Sequence, residues 1–159
     1  MTRILVFSDS HGVTDGMFGI IRTIPNVDHI IHLGDIHKDV IALEDEFSDI
    51  PVHFVQGNND LYYNYDTEKL IYIDGIPIFI THGHYYSLIN GNSALLRSDK
   101  AKKAKIILYG HTHIADYEVL EGKIIANPGS VERPRTSFPS YGIIEIENGK
   151  IDYSNIEMF

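Results

Sequence analysis

The strongest constraint on the fold of this 159-residue chain is an alternation in its first half, where short apolar runs are separated by stretches of helical spacing. Residues 4–7, 30–32 and 52–55 are apolar runs, and helical patterns fill about 14–23 and about 38–47 between them. That order is β-α-β-α-β, which calls for a parallel sheet with helices packed against it. Further on, runs at 69–73 and 76–81 flank Asp74-Gly75, a pair that favours a tight hairpin because both positions tolerate positive φ. A polar helical segment at about 87–104 is followed by runs at 106–109, 117–120, 123–126, 141–146 and 150–154, with Glu121-Gly122 and Asn148-Gly149 as turns. The second half is therefore mostly β, and two stacked sheets with helices outside accommodate the whole as an α/β chain.

No repeat, low-complexity tract or linker interrupts the sequence, so residues 1–159 are expected to form a single domain, long enough to bury roughly two-thirds of its unfolded surface. The opening apolar run is four residues long and leads into polar residues; it is expected to be a first strand and not a signal peptide or membrane span. Cysteine is absent, which removes disulfides, thiolate zinc sites and thiol nucleophiles together and points to a cytoplasmic location. Any metal site must then be built from His, Asp, Glu and Asn. A net charge of -9, from 22 acidic and 13 basic residues, repels a nucleic-acid backbone. The nearest approach to a basic patch, Lys100, Lys102, Lys103 and Lys105, reads as the solvated end of a helix.

Five polar clusters follow apolar runs directly: Asp9-Ser10-His11, Gly34-Asp35, Gly57-Asn58-Asn59-Asp60, His82-Gly83-His84 and Gly110-His111-Thr112-His113. Each falls at the C-terminal end of an expected strand, the edge of an α/β sheet where ligand-binding loops converge. Nine histidines would give about half a His-x-His pair by chance, and the chain has two. Each cluster also sets an oxygen or imidazole donor beside a glycine or another small residue, which lets backbone approach an ion. If Asp9, His11, Asp35, Asn58, His82, His111 and His113 meet in one pocket, clustering two carboxylates and four imidazoles costs several kcal/mol unless cations are present. Seven ligands exceed the needs of one tetrahedral ion and suit two, about 3.5–4 Å apart with a bridging carboxylate. Oxygen and nitrogen donors without thiolate suit manganese, iron, zinc, cobalt or nickel, and the donors do not choose among them; manganese is carried forward as the working expectation.

In this order, from Asp9 to His113, the motifs Asp-x-His, Gly-Asp, Gly-Asn-x-Asp, a lone His after a strand and Gly-His-x-His resemble the calcineurin-like metallophosphoesterase family. Asn127-Pro128-Gly129-Ser130 with Pro134-Arg135 is similar to its compact microbial phosphodiesterase branch. The resemblance implies a four-layer α/β/β/α sandwich. It implies Asp9, His11 and His113 on one divalent ion, Asn58, His82 and His111 on a second, and Asp35 between them. The expected activity is hydrolysis of small phosphodiesters by a hydroxide bridging the two ions, whose pKa falls from about 15.7 toward about 7.

Many family members carry His where this chain has Asn59, and an asparagine donates a hydrogen bond but delivers no proton. Two divalent ions, two carboxylates and one hydroxide sum to about +1, a charge that a diester monoanion neutralises. Both points favour diesters over monoesters. Asp35 and Asn59 are the expected catalytic positions, and Asn59, His37, His84 and Arg135 are expected to touch substrate. Arg133 is a further cation near the same loop, whereas His29, His32 and His53 sit in or beside apolar runs and read as structural. Asp60 reads as a residue that orients a ligand or caps a turn. Ten tyrosines, among them Tyr62, Tyr63, Tyr65, Tyr85 and Tyr86, offer an aromatic wall, core packing or a homo-oligomer contact. The alternatives on this reading are a phosphomonoesterase with the same centre, or a non-catalytic scaffold resembling the retromer subunit, for which loss of the histidines would be the signature.

Overall fold

The computed structural model describes residues 1–60, 63–135 and 138–158. In chain order the elements are β1 (Thr2–Phe7), α1 (Asp15–Thr23), β2 (His29–His32), α2 (His37–Glu46), β3 (Val52–Phe54), β4 (Glu68–Ile73) and β5 (Ile76–Thr81). A 3-10 turn (Leu88–Asn90), α3 (Ser93–Leu96), α4 (Asp99–Lys103), β6 (Ile106–Tyr109), β7 (Asp116–Leu120), β8 (Lys123–Asn127), β9 (Ser140–Glu147) and β10 (Lys150–Glu157) complete it.

The strands form two five-stranded mixed sheets, ordered β10-β9-β1-β2-β3 and β4-β5-β6-β8-β7. Alternation along each strand divides the core into layers, since successive side chains point to opposite faces. Ile4 and Val6 of β1 face the other sheet and meet Ile78, Ile80, Ile106 and Leu108, whereas Leu5 and Phe7 face Met17 and Ile21 of α1 and Leu43 of α2. On the second sheet, Ile106 and Leu108 point inward while Ile107 and Tyr109 pack with Leu95 and Ala101 of α3 and α4. Three cores therefore separate four layers, and the expected α/β/β/α sandwich is what the chain adopts. Among the described residues no helix is long and apolar enough to cross a membrane.

The three anticipated turns have both central residues at positive φ: Asp74 and Gly75 at 51° and 74°, Glu121 and Gly122 at 52° and 75°, Asn148 and Gly149 at 51° and 78°. These are the mirror-image turns whose twist matches a hairpin, and they fix the register of β4–β5, β7–β8 and β9–β10. The segment expected to be one helix at 87–104 is instead three short pieces. Gly91 has φ 93°, Ser87 is left-handed and Ser98 is extended (ψ 141°), and each interrupts the helical ladder. Lys100, Lys102 and Lys103 do lie in the last turn of α4. His29 and His53 pair with each other, Nδ1 to Nε2 at 3.1 Å, across β2 and β3.

Leu108 is fully buried between the sheets, whereas Val119 on the edge strand β7 is 58% exposed. Leu108→Ala is expected to lower unfolding free energy by about 3 kcal/mol, and Val119→Ala to change it by less than about 0.5 kcal/mol, as read from urea denaturation midpoints.

Candidate metal centre

The parallel strands β1, β2 and β3 of one sheet and β5 and β6 of the other end at the same edge, and the loops that follow them are tied to one another. Asp9 N–H donates to the Gly34 carbonyl (3.1 Å), His111 N–H to Asp9 Oδ2 (3.0 Å) and Gly110 N–H to the His82 carbonyl (3.0 Å). Two glycines permit this approach. A Cβ at Gly57 would meet Asp35 Cα at 2.5 Å, and one at Gly110 would meet Ser8 Oγ at 2.1 Å. Asp9 (φ 56°), His11 (50°), Asp35 (152°), His111 (69°) and His113 (61°) all occupy positive-φ backbone. That conformation costs a non-glycine residue about 1–3 kcal/mol, and it gathers where a site demands it.

The seven donors named from the sequence form one contiguous cluster. Asp9, His11 and His113 each bring a ligand atom within 4.8 Å of the others, and so do Asp9, Asp35 and His82. Nε2 of His11 lies 3.2 Å from Nε2 of His113, and Nδ1 of His11 lies 3.2 Å from Asp35 Oδ2. Asn58 Oδ1 lies 2.9 Å from His82 Nε2 and 3.2 Å from His111 Nδ1, and those two nitrogens are 3.3 Å apart. Asp9 and Asp35 are buried, as is His82.

The donors fit a divalent cation. Asp9 Oδ2 accepts hydrogen bonds from Ser8 Oγ (2.7 Å) and His111 N–H, while its buried Oδ1 makes no well-formed hydrogen bond and faces His113 Nε2 at 3.3 Å and His82 Nε2 at 3.8 Å. A carboxylate oxygen facing imidazole nitrogens in the interior is costly unless a proton or a cation lies between them. His82 Nδ1 donates to the Leu33 carbonyl (2.8 Å) and His113 Nδ1 to the Arg133 carbonyl (2.7 Å), because a carbonyl only accepts. In their neutral forms both rings turn a lone pair at Nε2 into the cluster, the arrangement by which a metal-ligating histidine is held.

Charge is arranged accordingly. Burial lowers the pKa of His11, His84 and His111, and for His84 and His111 the neighbouring His82 lowers it further. Burial pushes the Asp9 carboxyl up, but His113, His82 and Ser8 outweigh it and the net shift is downward. The Asp9 carboxylate in turn raises His113. Near neutral pH the cluster thus offers an ionised Asp9 and neutral His11 and His111, the protonation states a metal requires.

The remaining expected site residues fall in different places. Asn59 donates to Asp35 twice, from N–H to Oδ1 (3.2 Å) and from Nδ2 to Oδ2 (2.6 Å), so its amide braces the central carboxylate. His84 lies 5.4 Å from His82, ring to ring, with a buried Nδ1 that has no partner. Arg135 lines a cleft with His84 and His111. His37 is elsewhere: its ring is buried among Phe54, Tyr63 and Tyr65, stacked on Tyr65 at 4.2 Å. Those two tyrosines close over His37, which removes the expected substrate contact. Tyr86 hydrogen-bonds Glu68, Tyr85 is 74% exposed beside His84, and Tyr62 lies outside the described residues. Asp60 accepts from His37 N–H (2.7 Å) and Gly57 N–H (3.0 Å), joining the Asn58 loop to the start of α2.

Sequence reading did not anticipate a buried relay beneath the loops. Gly34 N–H donates to His32 Nδ1 (3.1 Å), so His32 carries its proton on Nε2 and gives it to Ser10 Oγ (2.9 Å). Ser10 donates to Asp39 Oδ2 (2.5 Å), which also accepts from Gly12 N–H (2.9 Å). Ser130 Oγ donates to the Asp9 carbonyl (2.8 Å) from the far side. The Asn127–Ser130 motif was visible in the sequence, but the Ser10–Asp39 pairing depends on how α2 lies on β1.

Burial holds the pKa of His32 down to about 4, against 6.5 for a free imidazole. The unfolded chain therefore binds the extra proton first as pH falls, and stability is lost between about pH 6.5 and about pH 4. Urea unfolding of the metal-free protein is expected to show a loss of about 3 kcal/mol across that window from this residue, and a shallower pH slope for His32→Asn.

The calcineurin-like phosphoesterase superfamily domain model matches residues 2–149. A probable metallophosphoesterase of Bacillus subtilis, YsnB, is 35% identical over 150 residues, covering 92% of this chain and 85% of that one. Phosphodiesterase MJ0936 of Methanocaldococcus jannaschii is 28% identical over 173 residues, covering 97% and 98%. The crystal structure of a predicted phosphoesterase from Streptococcus pneumoniae superposes with a TM-score of 0.82 at 27% identity, covering 98% of this chain and 89% of that one. With the family model spanning nearly the full chain over the motifs that build the cluster, the protein belongs to the calcineurin-like phosphoesterases.

Proposed function

We propose that this protein is a phosphodiesterase that hydrolyses small phosphodiesters with two divalent metal ions, manganese first among them. The observation that carries this reading is the buried Asp9 Oδ1, facing His113 Nε2 and His82 Nε2 where Asp9, His11, His113, Asp35 and His82 converge and Asn58 and His111 adjoin. Asp9, His11 and His113 would hold one ion, Asn58, His82 and His111 the other, with Asp35 available to both. Ions bound there would supply a water ionised near neutral pH and would offset charge on the phosphate oxygens.

The chain's own residues prepare the site. Carbonyls of Leu33 and Arg133 fix the ring orientations of His82 and His113, and Asn59 fixes Asp35. Arg135 and His84 flank the adjoining cleft, where each can hold a phosphoryl oxygen. Asn59 carries no transferable proton, so a diester with a good leaving group is the fitting substrate. Full retention of the four histidines speaks against a purely scaffolding role.

Titration calorimetry of the metal-free protein with manganese is expected to give two bound ions. A protein that takes up none would leave the scaffold reading. With manganese, bis(4-nitrophenyl) phosphate is expected to exceed 4-nitrophenyl phosphate in kcat/KM, and the reverse order would assign a monoesterase. Asp35→Ala is expected to abolish both uptake of the second ion and turnover. Asp39→Asn, which weakens the relay under Ser10, is expected to lower manganese affinity about 10- to 100-fold with an unchanged circular dichroism spectrum.

A further inference from the structure

Two histidines outside the cluster face each other across adjacent strands. His29 opens β2 and His53 lies in the middle of β3, before the strand ends that lead to Asp35 and Asn58. The strands are parallel, with Ile30 opposite Val52 and Ile31 opposite His53. Side chains alternate along a strand, so His29 and His53 share the face that Ile31 turns toward the other sheet. His29 Nδ1 lies 3.1 Å from His53 Nε2, the ring centroids are 5.3 Å apart, and both residues are half-buried.

A hydrogen bond between the rings occupies only one nitrogen of each. Among the described residues His29 Nε2 and His53 Nδ1 have no hydrogen-bond partner, so no carbonyl fixes either ring as Leu33 and Arg133 fix His82 and His113. Each ring can turn about χ2, a broad torsion in histidine, and direct its lone pair to a shared point. Two Zn–N bonds of about 2.0–2.1 Å that span 3.1 Å meet at about 100°, close to the tetrahedral angle. The paired strands thus already hold two imidazoles at the spacing of neighbouring ligands on one ion. Burial lowers the pKa of His53, and His29 and Lys69 lower it further, so near neutral pH its ring is uncharged and has a lone pair to give. The Lys69 ammonium, which opposes a second cation, is engaged over the Phe54 ring at 4.4 Å.

We propose that His29 and His53 form a separate site for one divalent ion of the zinc, nickel and copper group, with water in the remaining positions. Imidazole donors without carboxylate suit those ions and disfavour manganese. The ion clips β2 to β3 at their starts, away from the cluster, and ties together the strands that deliver Asp35 and Asn58. This site stands whether or not the phosphodiesterase reading holds.

Zinc uptake by the whole chain is counted by elemental analysis after equilibration with buffered zinc. His29→Ala, His53→Ala and the double variant are each expected to hold about one ion fewer than the wild type, because a shared ion is lost whichever ring is removed. Circular dichroism melts of the metal-free proteins establish that the variants fold. Equal zinc in the wild type and the single variants, or losses that add up in the double variant, would overturn the site and leave a hydrogen-bonded pair only. A second measurement needs no variant. In nitrogen NMR of the wild-type histidine rings, zinc is expected to shift the His29 Nδ1 and His53 Nε2 signals, and signals that stay in place would overturn the proposal equally.

Discussion

The inter-sheet layer of isoleucine, valine and leucine is the constraint from which the site follows. Ile4, Val6, Ile31 and Leu33 on one sheet are locked against Ile78, Ile80, Ile106 and Leu108 on the other, all buried. A residue shift in either sheet would turn its apolar set outward, so the two sheets meet in one register. The parallel strands of both therefore end at one edge, and loops separated by a hundred residues of chain face one another there. Asp9 and His111, bonded side chain to backbone, are the clearest instance.

The cluster those loops form is unfavourable by itself. Five of the seven donor positions hold strained backbone, and a buried carboxylate oxygen faces imidazole nitrogens without a well-formed hydrogen bond. The sandwich supplies the stability that sustains this, and the Asp39–Ser10–His32 relay limits how far the loops relax. Asn59 adds a further restraint on Asp35 where many relatives are expected to carry histidine, so a position associated with proton delivery here serves as a brace.

Much of this was legible in the sequence. Strand ends marked by Gly, Asp, Asn and His located the donors, and Asp-Gly, Glu-Gly and Asn-Gly located the hairpins, because both signals depend on neighbouring residues alone. The segment 87–104 was misjudged because its composition is helical while Ser87, Gly91 and Ser98 break the backbone. Longer-range features left no local trace. His37 could be placed next to Gly34-Asp35 by counting, but only the return of Tyr63 and Tyr65 across α2 turns it into an aromatic cluster.

The strand β7 closes one sheet with all five residues exposed and pairs only with β8 on its inner side. Asn155 Nδ2 donates to the Asp116 carbonyl and Tyr117 stacks on Tyr153, but among the described residues no strand covers its outer side, and exposed Val119 and Leu120 give it the character of a template for another strand. Asp116 and Glu118 stand at alternate positions along it, so an identical edge laid antiparallel would press carboxylate toward carboxylate. The acidic residues of β7 thus work against pairing of this edge with a second copy of itself.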